Sequence, residues 1–412
     1  MPLSRIRRIW SNAIRVFRPL RQRNYALFWS SDLIASVGQF VREVALYWLA
    51  YEITGSAWAL GILGFSEAAP RLLLGAVGGV IVDRYDRLRL LTVIQFLCIV
   101  PVFGLIVLYF SGTLQFWHMV VLETLWATMR SMNPTAGQSM LRDLVPETEL
   151  MSAVSLYSIG FNFARIVGPS LGGLLILWIG VGGCLVFYGV SLLISAVELL
   201  AVRIRSSPPS AERNLLTEFK AGLSYIGTAP LILASILAAY VISIFVGTYT
   251  RFLPVFAKDI LAVGPDGLGL LMAAPGVGAV LSLIILGTLE ERWSRKTLLF
   301  FTAMGTPLLL ILFCLSRSLW LSVLLLSVFG GMQIIFRTVS RLIIQIETPR
   351  ELLGRVMSVF LMDQGMRSLG SIVMGGFVAS FGAAYGLALT SVVSIMLTAF
   401  MFWRLLGKAA GK

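Results

Sequence analysis

Acidic side chains interrupt apolar stretches of this 412-residue chain at a few positions. Asp32 has no basic residue three or four positions away on either side, so its own helix offers it no ion-pair partner. A buried carboxylate of this kind could take up and release a proton near neutral pH. Glu123 precedes Arg130 by seven residues, which places both on nearly the same helix face. The candidates for handling protons are therefore Asp32, Glu123 and Arg130. For each, the alternative is a structural role as a partner of a charge on another helix or as an anchor of helix ends.

Other kinds of chemistry find little support in the composition. His118 is the only histidine, and all cysteines (Cys98, Cys184 and Cys314) lie in apolar runs, so neither a metal cluster nor a disulfide framework is expected. The chain has no GxxxxGK[ST] phosphate loop, so we do not expect ATP to drive the protein directly. We expect no metal, no cofactor and no enzymatic activity.

The elements that carry these residues are predicted to be membrane helices. Hydrophobic residues make up 58% of the chain and charged residues only 13%, with a mean hydropathy of +0.88. A soluble domain contains about 25% charged residues. Apolar length predicts twelve membrane-spanning helices, at approximately 24–51, 58–82, 90–110, 115–137, 151–177, 184–203, 229–257, 267–289, 297–315, 319–345, 356–380 and 386–404.

The distribution of basic residues predicts the orientation. With this number of spans, both termini lie on one side, and the opposite side carries only Lys258 and Arg317 outside the spans. Because basic residues concentrate on the cytoplasmic side, both termini are expected in the cytoplasm of a bacterial inner membrane. The net charge of +13 then reflects topology and contact with lipids, and nucleic acid is not expected as a partner. Residues 1–23 read as a basic amphipathic helix lying on the membrane surface.

The two halves of the chain repeat one another. Gly79, Asp83, Arg84 and Arg87 recur 208 residues later as Gly287, Glu291, Arg292 and Arg295. Arg165, Gly168 and Gly173 recur as Arg367, Gly370 and Gly375 at an offset of 202. This near-constant spacing predicts two pseudo-symmetric six-helix bundles related by an axis along the membrane normal. The predicted domains are a cytoplasmic segment at 1–23, bundles at 24–203 and 229–404, a linker with a short helix at 204–228, and a tail at 405–412.

Several stretches resemble the major facilitator superfamily of transporters, over nearly the whole chain. They are RNYALFWSSDLIASVGQF at 23–40, GAVGGVIVDRYDRLRLL at 75–91, NPTAGQSMLRDLVPETELMSAVSL at 133–156 and NFARIVGPSLGG at 162–173. Within the superfamily they are most similar to enterobactin-type siderophore exporters, macrolide efflux proteins and transmembrane secretion effectors. The resemblance implies an all-α membrane fold with twelve transmembrane helices in two six-helix bundles. It also implies secondary active export by an alternating-access mechanism.

Two motifs carry family roles by this resemblance. The loop motif would latch the cytoplasmic side in the outward-facing state, through Gly79, Asp83, Arg84, Arg87 and their repeats Gly287, Glu291, Arg292 and Arg295. It departs from the family pattern at Asp86, where glycine is usual, and its arginines could instead be topology signals alone. The second motif is typical of antiporters and comprises Gly168, Pro169, Gly172 and Gly173. Its alternative is ordinary close packing of small residues.

The substrate pocket is expected near mid-membrane between the bundles. The residues that we expect to line it are Gln39, Trp126, Met129, Asn133, Tyr240, Tyr249, Arg251, Met332, Gln333 and Phe336. Aromatic and methionine side chains would suit a bulky amphipathic ligand such as a siderophore or drug. The function predicted first is therefore proton-coupled export of such a small molecule by a monomer. The alternatives are a lipid or lysolipid translocator of the same fold, and a receptor or scaffold that does not transport.

Overall fold

The computed structural model describes residues 16–84, 86–131, 133–203, 223–290 and 293–406. The basic segment predicted at the N-terminus lies outside this range except for its last residues. Most of the predicted linker, Glu291 and Arg292 of the predicted latch, and nearly all of the predicted tail also lie outside it.

Contacts divide the chain into two compact units. The first unit comprises Met1–Ala45 and Leu73–Ala211, and the second comprises Leu46–Leu72 and Glu212–Lys412, each taken over its described residues. The helices between residues 16 and 203 are α1 (Arg23–Thr54), α2 (Ala57–Arg84), α3 (Arg87–Phe110), α4 (Phe116–Arg130), α5 (Asn133–Leu144) and α6 (Leu150–Ala201). Both α1 and α2 therefore pass from one unit into the other.

The second half of the chain continues the helical pattern. Its helices are α7 (Pro230–Phe245), α8 (Pro265–Glu290), α9 (Arg295–Leu315), α10 (Leu319–Glu347), α11 (Arg350–Leu361), α12 (Asp363–Phe381) and α13 (Ala383–Leu406). Eight helical stretches among the described residues are long and apolar enough to cross a membrane, and one of them, Glu147–Ala201, contains two of the predicted spans.

The backbone turns between two of the predicted spans and interrupts a third. Gly180 adopts a φ of 70° inside α6, where the chain turns between the fifth and sixth predicted spans. This left-handed conformation costs little for glycine because it has no Cβ. The seventh predicted span does not run unbroken from 229 to 257: α7 ends at Phe245, and short turns of 3-10, α and π type follow over Tyr249–Ile260. Gly247 lies at this break, where its amide donates to the Ile242 carbonyl.

A core of the first unit forms where the N-terminal part of α1 meets α3, α5 and α6. Tyr25 and Phe28 of α1, Leu91 of α3 and Met140 of α5 are buried together. The Tyr25 hydroxyl donates to the carbonyl of Ala153 at 2.8 Å, which satisfies its polar end inside an apolar cluster. This packing fixes the N-terminal end of α1 against α6.

Candidate functional site

A buried ion pair lies in the interior of the first unit. Arg42 of α1 donates to both carboxylate oxygens of Glu123 of α4, at 2.5 and 3.1 Å, and each side chain is almost fully buried. The Arg42 guanidinium also lies 4.0 Å from the ring centroid of Trp126, and the Trp126 indole donates to the Tyr188 hydroxyl at 2.9 Å. A two-pronged pair that stacks on an aromatic ring holds both charges in one geometry.

This pairing changes the interpretation of Glu123. The sequence grouped Glu123 with Arg130 on one helix, whereas the structure gives it a partner on α1. Arg130 lies 5.6 Å from the ring centroid of Trp126, and its Nη1 has no hydrogen-bond partner among the residues that the structure describes. Arg42 was not among the predicted site residues. A signal for it existed in the sequence, because a buried arginine in one span requires an acid in another.

Asp32 faces a small recess at the N-terminal side of the first unit. Apolar side chains of Phe28, Leu91 and Leu199, together with Gly137, line it along with the polar residues Ser31, Asp32 and Gln95. The recess has a volume of about 20 Å³, room for about one water molecule, and is partly open to solvent. The carboxylate of Asp32 accepts a hydrogen bond from the Tyr157 hydroxyl at 3.4 Å. It makes no ion pair with any residue that the structure describes.

Gln95 completes the polar side of this recess. Its side chain is 4% exposed, and its amide nitrogen donates to the Ser195 hydroxyl at 2.6 Å. Ser195 in turn shares a hydrogen bond with Ser31 at 2.7 Å. The Gln95 carbonyl oxygen has no hydrogen-bond partner within the described part of the chain. The recess thus presents a carboxylate and an unsatisfied acceptor, a combination that favours water or a proton donor.

The glycine–proline motif lies where α6 packs closely against α1. A Cβ placed on Gly168 would meet Phe40 Cβ and the Val37 carbonyl, and one placed on Gly172 would lie 3.1 Å from Val41 Cα. Pro169 and Gly173 lie within the same turns of α6 and are also buried. The motif therefore lets α6 approach the backbone of α1 directly.

The predicted latch is described in part. The structure gives only the backbone for Gly79, Asp83, Arg84 and Gly287, all of them helical. Arg87 begins α3 and forms an ion pair with Asp143 of α5 at 3.3 Å. Its repeat, Arg295, begins α9. The latch role stays a prediction.

The expected pocket residues fall into both units. In the first unit, Trp126 is buried against Arg42, Gln39 and Met129 are half-buried, and Asn133 is described by its backbone alone. In the second, Tyr249 packs edge-on against Phe329 with ring centroids 4.7 Å apart, and Tyr240 donates to the Val359 carbonyl at 2.5 Å. Phe336 is buried, and Met332 and Gln333 are half-buried. Their assignment to a pocket stays a prediction.

Ion pairs between helices also occur in the second unit. The sequence places Glu67 four residues before Arg71, and Asp363 four before Arg367, which suggested pairs along one helix. The structure joins Glu67 to Arg251, another expected pocket residue, at 3.3 Å, and it describes Arg71 by its backbone alone. Asp363 pairs with Arg337 of α10 and accepts a hydrogen bond from Ser243.

Comparison with known proteins identifies the family. Residues 14–409 match the family model of the transmembrane secretion effectors, so the chain belongs to this family. The enterobactin exporter EntS of Shigella boydii is 24% identical over 84% of this chain and 84% of its own length. The staphyloferrin A transporter of Staphylococcus aureus is 22% identical over 91% of this chain and 95% of its own length. An uncharacterised transporter of the major facilitator type, YfiS of Bacillus subtilis, is 28% identical over 70% of this chain and 68% of its own length.

Solved structures agree on the fold. A bacterial homologue of the human lysosomal transporter Spinster superposes with a TM-score of 0.69 at 15% identity, covering 93% of this chain and 97% of the other. A POT family transporter in complex with 5-aminolevulinic acid gives a TM-score of 0.73 at 10% identity, covering 94% and 96%. The predicted fold class is confirmed: the chain has the all-α major facilitator fold. It is a multi-pass membrane transporter of a small-molecule substrate, and its family is not one of enzymes.

Proposed function

We propose that the protein is a proton-coupled exporter that exchanges protons for a bulky amphipathic small molecule, such as a siderophore or drug. The observation that carries the proposal is the position of Asp32. Its carboxylate lines a recess that is partly open to solvent, next to the unsatisfied oxygen of the buried Gln95. A carboxylate reached by water and held by a tyrosine hydroxyl rather than by a cation can change protonation state during a cycle.

The relatives support the choice of substrate. One is named as an exporter of enterobactin and another as a transporter of staphyloferrin A, and each aligns with most of this chain. Large polar molecules with apolar parts fit aromatic and methionine side chains of the kind expected in the pocket, such as Trp126, Tyr249 and Met332. The antiporter-type motif at Gly168–Gly173 supports export over uptake by the family resemblance.

The orientation and surroundings of the protein complete the proposal. Both termini lie in the cytoplasm, because Lys258 and Arg317 are the basic residues expected on the opposite side. The protein resides in the bacterial inner membrane as a monomer of two six-helix bundles, and its basic N-terminal residues contact anionic lipid. The loop motif acts as a cytoplasmic latch between helix ends.

Transport into inverted membrane vesicles tests this function. In such vesicles an exporter loads its substrate into the lumen, so uptake of enterobactin, staphyloferrin A or a macrolide is measured with and without an imposed pH gradient. We expect uptake that rises with an acidic lumen and is lost in Asp32→Asn. Asp266→Asn is the matched control, because Asp266 is an exposed carboxylate at the start of α8. It should transport like the wild type.

Three results would contradict the proposal. Uptake that does not depend on the pH gradient would exclude proton coupling. Uptake that is still driven by the gradient in Asp32→Asn would show that Asp32 does not couple protons to transport. Translocation of a fluorescent lysolipid in place of all three compounds would favour the lipid translocator.

A further inference from the structure

The end of α1 and the start of α2 form a hairpin, Leu46–Leu72. This hairpin belongs to the second unit, although the rest of that unit begins only at Glu212. Within that unit, the Glu67 carboxylate pairs with Arg251 at 3.3 Å and accepts a hydrogen bond from the Tyr47 hydroxyl at 3.1 Å. Arg251 also donates to the Ser371 hydroxyl of α12. The side chains of Arg251 and Glu67 are only 9% and 12% exposed. Losing either partner would leave a charge that is largely removed from water.

Small residues make this pairing possible. Gly61, Gly64 and Ala68 follow one another at spacings of three and four, so they share one face of α2 with Glu67 beside them. A Cβ on Gly61 would lie 2.9 Å from the Ser371 carbonyl and 3.0 Å from Gly375 Cα. A Cβ on Gly64 would collide with the Arg251 side chain. The start of α2 therefore meets α12 backbone to backbone at Gly61 and Gly375.

A second polar contact lies at the end of α1. The Tyr51 hydroxyl donates to the carboxylate of Asp259, in the irregular segment that follows α7. The ammonium group of Lys258 lies 5.8 Å from the centroid of the Tyr51 ring. The hairpin is thus tied at both of its helices to the segment at 249–260.

We propose that these contacts are the outer gate of the transporter, with Glu67–Arg251 as its lock and Tyr51–Asp259 as its second tie. The hairpin is continuous in the chain with helices of the first unit, yet it packs as part of the second. A polar lock beside a close contact between glycines can separate, provided that the charges reach water as it opens. The lock would therefore be made when the outer side is closed and broken when substrate leaves. The inference rests on the proposed orientation, in which the end of α1 faces outward.

Labelling of an introduced cysteine tests the gate. Ala68→Cys places a thiol on the glycine face, where Ala68 is 3% exposed, and the native Cys98, Cys184 and Cys314 are buried. A membrane-impermeant maleimide is applied to right-side-out vesicles, and the labelling rate is measured. We expect slow labelling in Ala68→Cys alone, a rise of several fold when Glu67→Gln is added, and a smaller rise with Tyr51→Phe. Glu52→Gln is the matched control, because Glu52 is exposed on the same hairpin.

A second cysteine separates failure of the gate from failure of the orientation. Thr113→Cys lies in the exposed loop between α3 and α4, which shares a side of the membrane with the hairpin turn. If Thr113→Cys is not labelled from outside, the proposed orientation is wrong and the gate cannot be an outer one. If it is labelled while Glu67→Gln and Tyr51→Phe both leave the Ala68→Cys rate unchanged, the gate is wrong and the orientation stands. If Glu67→Gln unfolds the protein and so exposes the native cysteines, the test rests on the labelling rate of Ala68→Cys combined with Tyr51→Phe.

Discussion

Arg42 and Glu123 form a two-pronged ion pair between α1 and α4, sealed by the rings of Trp126 and Tyr188. The pair is buried on all sides, with 3% and 2% of the side chains exposed. Water cannot reach either charge when the other is removed. The pair therefore stabilises the protein mainly because each charge offsets the cost of burying the other.

We expect Glu123→Gln to destabilise the protein by about 3–5 kcal/mol, because Arg42 would lose the carboxylate that offsets its buried charge. A thermal unfolding curve in detergent measures the effect. Glu147→Gln serves as the matched control, since Glu147 is an exposed carboxylate of the same unit. The double variant Arg42→Met/Glu123→Leu should be more stable than Glu123→Gln. A double variant that is less stable would show that the pair itself, and not the unpaired charge, sets the cost.

The glycine–proline motif yields a prediction that compares the same substitution at two positions of α6. Alanine is about 1 kcal/mol better than glycine in a helix interior, so Gly→Ala within α6 should stabilise wherever space allows. Gly189 has such space, because the nearest atoms to its Cβ would be Ile106 Cδ1 at 3.4 Å and Val102 Cγ1 at 3.8 Å, both ordinary contact distances. Gly168 does not, because its Cβ would meet Phe40 Cβ at 2.5 Å.

We therefore expect Gly168→Ala to lower the unfolding temperature and Gly189→Ala to leave it unchanged or raise it. Overpacking of this kind costs about 1–3 kcal/mol. Both variants are measured in the same detergent, so differences in micelle contact cancel. Equal unfolding temperatures for the two variants would mean that α6 and α1 are not in close contact at the motif.

The sequence predicted the features that depend on apolar length and on repetition. Apolar runs indicated the helices, and the offset of 208 predicted corresponding loops before α3 and α9. The structure adds that these helices begin at equivalent residues, Arg87 and Arg295, each preceded by a capping side chain. Such features are local, so residue spacing carries them.

Partners across helices could not be predicted in the same way. Spacing identifies only neighbours on one helix, whereas the pair of Glu67 with Arg251 joins α2 to the segment at 249–260. The recess at Asp32 likewise depends on Gln95 and Ser195, whose approach is set by packing between α1, α3 and α6. Amphipathic periodicity says little here, because most faces of these helices are apolar and a single sequence does not tell lipid from protein.

The capping residues of α3 and α9 give a third prediction. The Asp86 carboxylate accepts a hydrogen bond from the Arg89 amide at 2.9 Å, and the Ser294 hydroxyl accepts one from the Thr297 amide at 3.2 Å. We expect Asp86→Ala and Ser294→Ala each to cost about 0.5–2 kcal/mol, because each leaves a helix N-terminus without its side-chain acceptor. Asp86→Asn and Ser294→Thr keep an acceptor and should lose much less. The unfolding temperatures of the four variants test this prediction. A capping role would be ruled out if the alanine variants unfolded at the same temperatures as Asp86→Asn and Ser294→Thr.

The ion pair between Arg87 and Asp143 gives a fourth prediction, which concerns a residue of the predicted latch. The side chains lie 3.3 Å apart and are 23% and 12% exposed, so the pair is only partly screened by water. Arg87→Asp would set like charges against each other, and we expect a loss of about 1 kcal/mol that shrinks in high salt. The swapped double variant Arg87→Asp/Asp143→Arg should recover most of it.

Arg89→Asp is the matched control for this swap. Arg89 lies in the same first turn of α3 but is exposed, so an aspartate there gains the same favourable interaction with the helix N-terminus without facing Asp143. Subtracting its effect from that of Arg87→Asp leaves the cost of the lost pair, read from unfolding temperatures at low and high salt. Because Arg87 is held by α5 within its own unit, the swap should also restore any transport lost in Arg87→Asp. If stability returned in the double variant while transport did not, Arg87 would act on the transport cycle through a partner other than Asp143, as the latch hypothesis requires.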